Sequence, residues 1–376
     1  MLYRMLGSTG LRVSQLGFGA MRLPMTGPDK DAKVDIDKAA ELMRRSFELG
    51  VNYVDSAVFY CNSDSQRAVG QAIKGWRDRL VVSTKNDYKG TDQAAWHKNL
   101  HDSLRLLDVQ CIDVYSIHGA SWQVWQAAIE PAISKWLLRA RDQGLIKHIG
   151  CSCHDSPENT VKLMDTGFFE SFTLQYNLLD RRNEGAIAHA AAKGIGVVVM
   201  GPLAGGRIVT SQGAFNSVVP GQDDVTELAL RFVLANPGVS LAISGMESLP
   251  IIEQNARVAG QDVPLTKDQY AALDAHLNRL KAAADLYCSG CNYCQPCPQN
   301  VRIPQVFSLY NLARVYANWP AAQRDYEFIL HSPWDPDGRQ ADACNECGAC
   351  EDKCPQKIPI RQQLKDAHQA LAVKVK

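Results

Sequence analysis

The chain is short of several things, and each shortage excludes a class of protein. It has no excess of charge: lysine plus arginine number 40, aspartate plus glutamate 40. Neither nucleic acid nor a charged membrane surface is therefore an expected partner. No apolar run approaches the roughly 18 residues of a spanning helix. The opening Met1-Leu2-Tyr3-Arg4-Met5 lacks the apolar core of a signal peptide, so the expected location is cytoplasmic. There is no obvious internal repeat and no low-complexity stretch. Cysteine is scarce through residue 287, with only Cys61, Cys111, Cys151 and Cys153. A disulfide framework would scatter its cysteines and need an oxidising compartment. Here the other eight crowd into two tight groups, which points to metal.

What is present suits a well-cored two-domain protein: 376 residues, 46% hydrophobic and 21% charged. Tyr3-Arg4 to Val13-Ser14 reads as a hairpin, turning at Gly7 and Thr9-Gly10. Short apolar runs follow: Gln15–Phe18, Asn52–Asp55, Leu80–Ser83, Ile112–Ile117, His148–Gly150, Phe172–Gln175, Gly196–Val199 and Ser240–Ile243. Between them lie amphipathic stretches such as Ile36–Leu49, Ala94–Leu107, Ala127–Gln143 and Val225–Ala235. This alternation predicts an α/β fold, a (β/α)8 barrel, which takes roughly 250 residues. Several runs end in polar residues or glycine, as at Asp55-Ser56, Ser83-Thr84-Lys85, His118-Gly119 and Ser152. In a barrel those ends converge on the catalytic face. Composition changes near residues 280–286, which places a domain boundary at about residue 284. The expected domains are a barrel over 1–284 and a mainly helical, ferredoxin-like domain over 285–376.

Reduction of a carbonyl by a nicotinamide needs a proton donor beside the carbonyl oxygen and something to ease the proton's departure. A tyrosine holds its proton at neutral pH. A nearby lysine stabilises the phenolate, a buried carboxylate keeps that lysine charged, and a histidine orients the substrate. Asp55, Tyr60, Lys85 and His118 are candidates for these catalytic roles, each at or just beyond a strand end.

The stretch from Asn52 to Tyr60 (Asn-Tyr-Val-Asp-Ser-Ala-Val-Phe-Tyr), with Val82-Ser83-Thr84-Lys85 and Ile112–His118, resembles the active-site segments of the aldo-keto reductase family. Leu16–Met21, Gly144–Gly150 and Leu174–Asn177 also match, in the family's order, so the resemblance covers roughly residues 3–260. It implies a nicotinamide cofactor, NAD(H) or NADP(H), and a small carbonyl or alcohol substrate. It further implies cofactor contacts from Gly19, Met21, Ser152, Gln175, Met200, Gly201, Pro202, Leu203, Gly205, Gly245, Glu253 and Asn255. Three departures stand out. Met200 replaces the aromatic residue that usually stacks on the nicotinamide, and Ser152-Cys153 replaces Ser-Asn. The loop Ser244–Ser248 carries Glu247 where a basic residue commonly grips a 2′-phosphate, which leaves the choice between NAD and NADP open.

The tail contains Cys288-x2-Cys291-x2-Cys294-x2-Cys297-Pro298 and Cys344-x2-Cys347-x2-Cys350-x3-Cys354-Pro355. In two-cluster ferredoxins the fourth cysteine of each run serves the other cluster. The expectation is two 4Fe–4S clusters, one held by Cys288, Cys291, Cys294 and Cys354, the other by Cys344, Cys347, Cys350 and Cys297. The first run is one residue short of the bacterial spacing. Zinc also uses Cys-x2-Cys pairs, but as two separated hooks rather than four ligands in a run ending Cys-Pro. The tail resembles a helical ferredoxin module, with helices expected at Gln305–Ala317 and Ala321–Leu330. Cys111 and Cys151 read as small buried residues, whereas Cys61 and Cys153 are expected to face the site.

A hydride carries two electrons and a cubane cluster passes one, so direct exchange needs a splitter such as flavin. No clear flavin fingerprint is present, although barrels can bind FMN at loop phosphate sites. The readings left are an active oxidoreductase whose clusters serve an electron-transfer partner protein, a barrel enzyme braced by structural clusters, and an electron-transfer or assembly module without carbonyl chemistry. Substrate choice is expected in loops 22–35, 119–125 and 208–222. Trp122 and Trp125 either wall a pocket there or pack on a helix.

Overall fold

The structure is a computed structural model. It describes every residue except 28–31, 211–214, 216–217, 220–223, 263–264, 283–287, 289–293, 334, 355–356 and 373–376. The expected boundary at residue 284 and the ligand Cys291 lie outside the described residues, as does much of the loop 208–222.

A short antiparallel hairpin, β1 (Tyr3–Met5) and β2 (Arg12–Ser14), opens the chain. Eight parallel strands then close into a barrel: β3 (Leu16–Gly19), β4 (Tyr53–Asp55), β5 (Val81–Asn86), β6 (Ile112–Ala120), β7 (Ile146–Cys153), β8 (Ser171–Gln175), β9 (Gly196–Met200) and β10 (Leu241–Ser244). Each neighbours the next in sequence, and β10 closes on β3. All eight runs expected from the sequence are strands. They read as near-continuous apolar runs because a barrel strand is covered on both sides.

The hairpin plugs one end of the barrel. Leu6 packs with Val13, Tyr53, Val81, Val114, Val198 and Leu241 in one buried cluster. Gly7 makes this possible. Its φ is 54°, and a Cβ there would stand 2.3 Å from Gly196 N and 2.4 Å from Gly194 O.

The helix expected over Ile36–Leu49 is Ile36–Glu48, capped by the Asp35 side chain on Lys38 N, and Val225–Ala235 is helical as expected. The stretch expected as one helix at Ala127–Gln143 is two. Trp125–Ile133 is π-helical and Ser134–Asp142 is α-helical. Pro131 lies in the π segment, where its missing N–H removes a ladder bond. Trp125 is buried against Phe168 and Phe169, which decides for packing over a pocket wall.

By compactness the chain forms two units, Met1–Gly205 with Thr226–Leu265, and Gly206–Val225 with Thr266–Lys376. The helix Lys267–Ala282 thus groups with the cysteine-rich unit. In that unit helices run over Ile303–Tyr316, Trp319–Phe328 and Ile360–Leu371. The first two answer the expected pair. The third packs Ile360, Leu364, Ala367 and Leu371 inward, and Tyr326 Oη bonds His368 Nδ1 at 2.7 Å.

The glycines of the plug give a test. Gly7→Ala should cost about 3 kcal/mol in denaturant unfolding, because the new Cβ meets backbone that cannot yield. Gly10→Ala, with φ of 78° but nothing within 4 Å, should cost only about 1 kcal/mol. Equal losses would mean that backbone strain, and not the close fit of the plug, is what Gly7 relieves.

Candidate active site and cysteine cavity

Asp55 ends β4, Lys85 lies one residue before the end of β5, and His118 lies two residues before the end of β6. The register pairs Asp55 with Ser83 and Lys85 with Ser116, so neighbouring strands deliver these side chains to one place. Lys85 Nζ donates to Asp55 Oδ2 and, at 3.0 Å, to Ser56 O, while Ser83 Oγ donates to Asp55 Oδ1 at 2.9 Å. Both charged side chains are 2% exposed, so this is a buried ion pair with its remaining lone pairs and protons engaged. Burial acts to lower the Lys85 ammonium, but Asp55 and Tyr60 outweigh it and hold the pKa above the usual lysine range.

Tyr60 follows β4 after a short turn. Its ring lies 5.1 Å from Lys85 Nζ and edge-on to His118 at 5.6 Å. Burial pushes the phenol up; Lys85 pulls it down by charge and hydrogen bonding, Asp55 adds to the rise, and the net is upward. Phe59 stacks on His118 at 4.6 Å. Burial, then the charges of Lys85 and Lys89, lower His118 to about 3. The ring is neutral at physiological pH, and its Nδ1 is buried with no hydrogen-bond partner among the described residues. The arrangement offers a protonated phenol, an ammonium that stabilises its phenolate, and a neutral imidazole with unused hydrogen-bonding capacity.

The residues expected at a cofactor fall into groups. Gly19 ends β3, with Met21 exposed just beyond it. Gln175 and Met200 are paired at the ends of β8 and β9. A Cβ on Gly201 would stand 2.6 Å from Gln175 Nε2, and Asn177 Nδ2 holds Gly201 O at 2.9 Å. The loop then turns through positive φ at Gly201, Ala204 and Gly205, with Pro202 buried and Leu203 half-buried inside it. Arg22 Nη1 donates to Gly205 O at 3.3 Å, and its Cβ lies 3.8 Å from the Cβ position of Gly245. Backbone turned this way exposes amides suited to phosphate. Asn255 is buried, with Oδ1 lacking a partner among the described residues. These features fit a dinucleotide. Two others are engaged elsewhere. Ser152 Oγ accepts from Gly119 N at 2.9 Å, and Glu253 pairs with Arg45 on the surface.

Two cysteine expectations need correcting. Cys153 does not face the site: Sγ lies 3.3 Å from Thr160 Oγ1, on the helix Pro157–Asp165 outside the strand. Cys111 is half-buried rather than buried. Cys151 is buried, and Cys61 turns its Sγ to Met21 O at 3.3 Å. Sequence reasoning also passed over Phe59, Ser83 and Arg22. The first two lie inside the stretches quoted above, and alternation along β5 puts Ser83 on the same face as Lys85.

In the C-terminal unit, Cys297, Cys344, Cys347 and Cys350 line one cavity of about 60 Å³, with Cys294 also on its wall. Its chain turns tightly through positive φ at Glu346 and Gly348, and Glu346 N donates to Cys344 Sγ at 3.4 Å. Burial, with adjacent Glu351, Cys344 and Cys297, pushes the Cys350 thiol up. Cys354 is buried, Cys288 is half-buried, and neither lines that cavity. Among the described residues no group of three histidine, cysteine or carboxylate side chains is arranged to hold a single metal ion. Thiols spread around a cavity suit a cluster better than one ion. No described helix is long and apolar enough to cross a membrane.

Comparison with known proteins identifies the family. The pyridoxine 4-dehydrogenase of Escherichia coli is 26% identical over 281 residues, covering 70% of this chain and 94% of its own. The L-galactose dehydrogenase of Arabidopsis thaliana is 27% identical over 301 residues, covering 71% and 90%. Among solved structures, an aldo-keto reductase of Bacillus halodurans in holo form superposes with a TM-score of 0.62 at 27% identity, covering 73% of this chain and 96% of its own. One from Klebsiella pneumoniae, in complex with NADP and acetate, gives 0.61 at 24% identity, covering 72% and 93%, and speaks for the fold alone. Residues 15–278 match the aldo/keto reductase family and residues 287–358 a 4Fe-4S dicluster domain. The chain therefore belongs to the aldo/keto reductase family and carries a C-terminal 4Fe-4S dicluster domain.

Proposed function

We propose that the barrel interconverts a carbonyl and an alcohol with a nicotinamide cofactor, and that the tail holds two 4Fe–4S clusters that serve electron transfer to or from a partner protein. The observation that carries the first half is the buried Asp55–Lys85 pair beneath a protonated Tyr60. The relatives named as dehydrogenases support the same class of chemistry.

A nicotinamide bound at this site would supply the hydride chemistry. Tyr60 Oη gives its proton to the carbonyl oxygen. Lys85 offsets the charge left on the phenolate, and Asp55 keeps Lys85 protonated and aimed. Neutral His118 donates a hydrogen bond that orients the carbonyl. Alcohol oxidation runs the same path backwards, with Tyr60 as base. Gly19, Met21, Gln175, Met200, the loop Gly201–Gly205, Gly245 and Asn255 would hold the dinucleotide, with Ser152 and Glu253 at its margins. Cys288, Cys291, Cys294 and Cys354 would bind one cluster, and Cys344, Cys347, Cys350 and Cys297 the other. Clusters of this type supply one-electron transfer.

Tyr60→Phe should cut turnover by about a hundredfold or more, the usual weight of a positioned acid. Dinucleotide binding by fluorescence and iron content should be unchanged, and surviving activity would remove Tyr60 from the mechanism. The pH profile is a separate check. His118 is shifted down, so it gains a proton only well below the ordinary histidine pKa of about 6.5. Tyr60 is shifted up, so it loses its proton only above about 10. Reduction kcat/KM should therefore stay flat from about pH 5 to 9, while oxidation, which needs the phenolate, climbs with pH. A break near pH 6.5 that vanishes in His118→Asn would show that the histidine titrates as it does in water.

Anaerobically purified protein should carry about eight iron and eight labile sulfide per chain. Cys350→Ser should halve both. Anaerobic NADPH should bleach the visible absorption and raise a reduced-cluster EPR signal if nicotinamide and clusters share an electron path. No change in protein that binds NADPH would put the clusters in a structural role.

A further inference from the structure

Lys85, Lys89, His118, His154 and Arg182 stand on or just beyond the ends of β5 to β8 at the barrel mouth. Lys85 is neutralised by Asp55. Arg182 is gripped by Asp180, Nε to Oδ1 at 2.8 Å and Nη2 to Oδ2 at 2.9 Å. His118 is neutral. Lys89, in the loop after β5, is different: it is exposed, and no ion-pair partner for it exists among the described residues. Its Nζ lies 3.2 Å from the position a Cβ on Gly119 would take, directly after His118. Glycine at 119, with φ of 66°, leaves room for the ammonium to reach over the strand end.

The charged neighbours that act on His118 are Lys85, Lys89 and His154, and those on His154 are Lys89 and Arg182. No carboxylate acts on either histidine, and Lys89, unlike Lys85 and Arg182, has no carboxylate partner among the described residues. The strand order is β10-β3-β4-β5-β6-β7-β8-β9, so the β5–β6 edge stands across the mouth from the loops after β9 and β10. The turned backbone of Gly201–Gly205 is on that far side, so Lys89 is not spent on the phosphates proposed there. One ammonium matches the single charge of a carboxylate, whereas a phosphate's near-double charge would ask for more donors.

Resting on the carbonyl–alcohol reading, we propose that the substrates are oxo-acids or the corresponding hydroxy-acids, and that Lys89 selects them by pairing with their carboxylate beside His118.

The test uses 4-formylbenzoate and its methyl ester, which offer the same aldehyde with and without the charge, on the full-length, cluster-loaded protein. The wild type should prefer the acid. Lys89→Met should lower the acid-to-ester ratio of kcat/KM about tenfold, the weight of one charge-assisted hydrogen bond at an open site. The change should sit in KM for the acid, and Lys89→Arg should recover most of it. An unchanged ratio, or Lys89→Arg as poor as Lys89→Met, overturns the assignment. If neither aldehyde is turned over, calorimetry of both on the NADPH-loaded protein decides. Lys89-dependent preference for the acid keeps the carboxylate site and sinks the carbonyl reading. Equal binding, or none, sinks the carboxylate site.

Discussion

The site hangs on one buried ion pair. Taking an ammonium and a carboxylate out of water costs several kcal/mol for each, and their attraction offsets this only when geometry is good and every other polar atom is met. Lys85 and Asp55 satisfy that condition through Ser83 and Ser56 O, all supplied by the ends of β4 and β5 and the residue just beyond. The strand register is therefore part of the chemistry. A slip of one residue in either strand would turn Asp55 or Lys85 to the outer face. The hairpin plug, the continuous apolar strands and the closed barrel all act to prevent that slip.

The same pair sets the electrostatics above it. A lone buried ammonium would lower its own pKa and could not hold charge beside Tyr60. With Asp55 present, Lys85 remains charged, and it pulls on both neighbours. It opposes the rise of the Tyr60 phenol and adds to the fall of His118. Burial is the larger cause for both groups; this one cation moderates the rise of the acid and adds to the neutrality that burial gives the imidazole. Phe59 stacks on His118 and is one of the groups that cover its ring.

Much of this was legible in the sequence, for reasons that explain what was not. Barrel strands are buried on both faces, so their apolar runs stand out, and the polar residues that end several of them mark one face of the barrel. Asp55, Lys85 and His118 are visible on that ground alone. Cys153 follows the period of two along its strand: beside Ser152 it points the other way, toward Thr160. The π-helical turn at Trp125–Ile133 escaped because an apolar pattern does not distinguish 3.6 from wider helices. Lys89 and Arg22 escaped because loop residues have no period, and their placement depends on which glycine they pass over.

The division of the chain shows a deeper limit of pattern reading. Lys267–Ala282 looks like a last barrel helix, and the family match runs to residue 278. By compactness the same helix belongs with the cysteine-rich unit, as does the segment 206–225 that interrupts the barrel sequence. An amphipathic pattern states that a helix buries one face; it does not state against what. A change in composition therefore says little about where one packed unit gives way to the other. The two chemistries keep a similar independence. On the proposed reading, proton transfer at Tyr60 draws on Lys85, Asp55 and His118, all from the barrel, and accompanies a two-electron hydride transfer. One-electron chemistry at the proposed clusters would draw on none of these residues. A link between them requires a step that splits the pair, so coupling has to be tested by electron flow and not inferred from the presence of both sites in one chain.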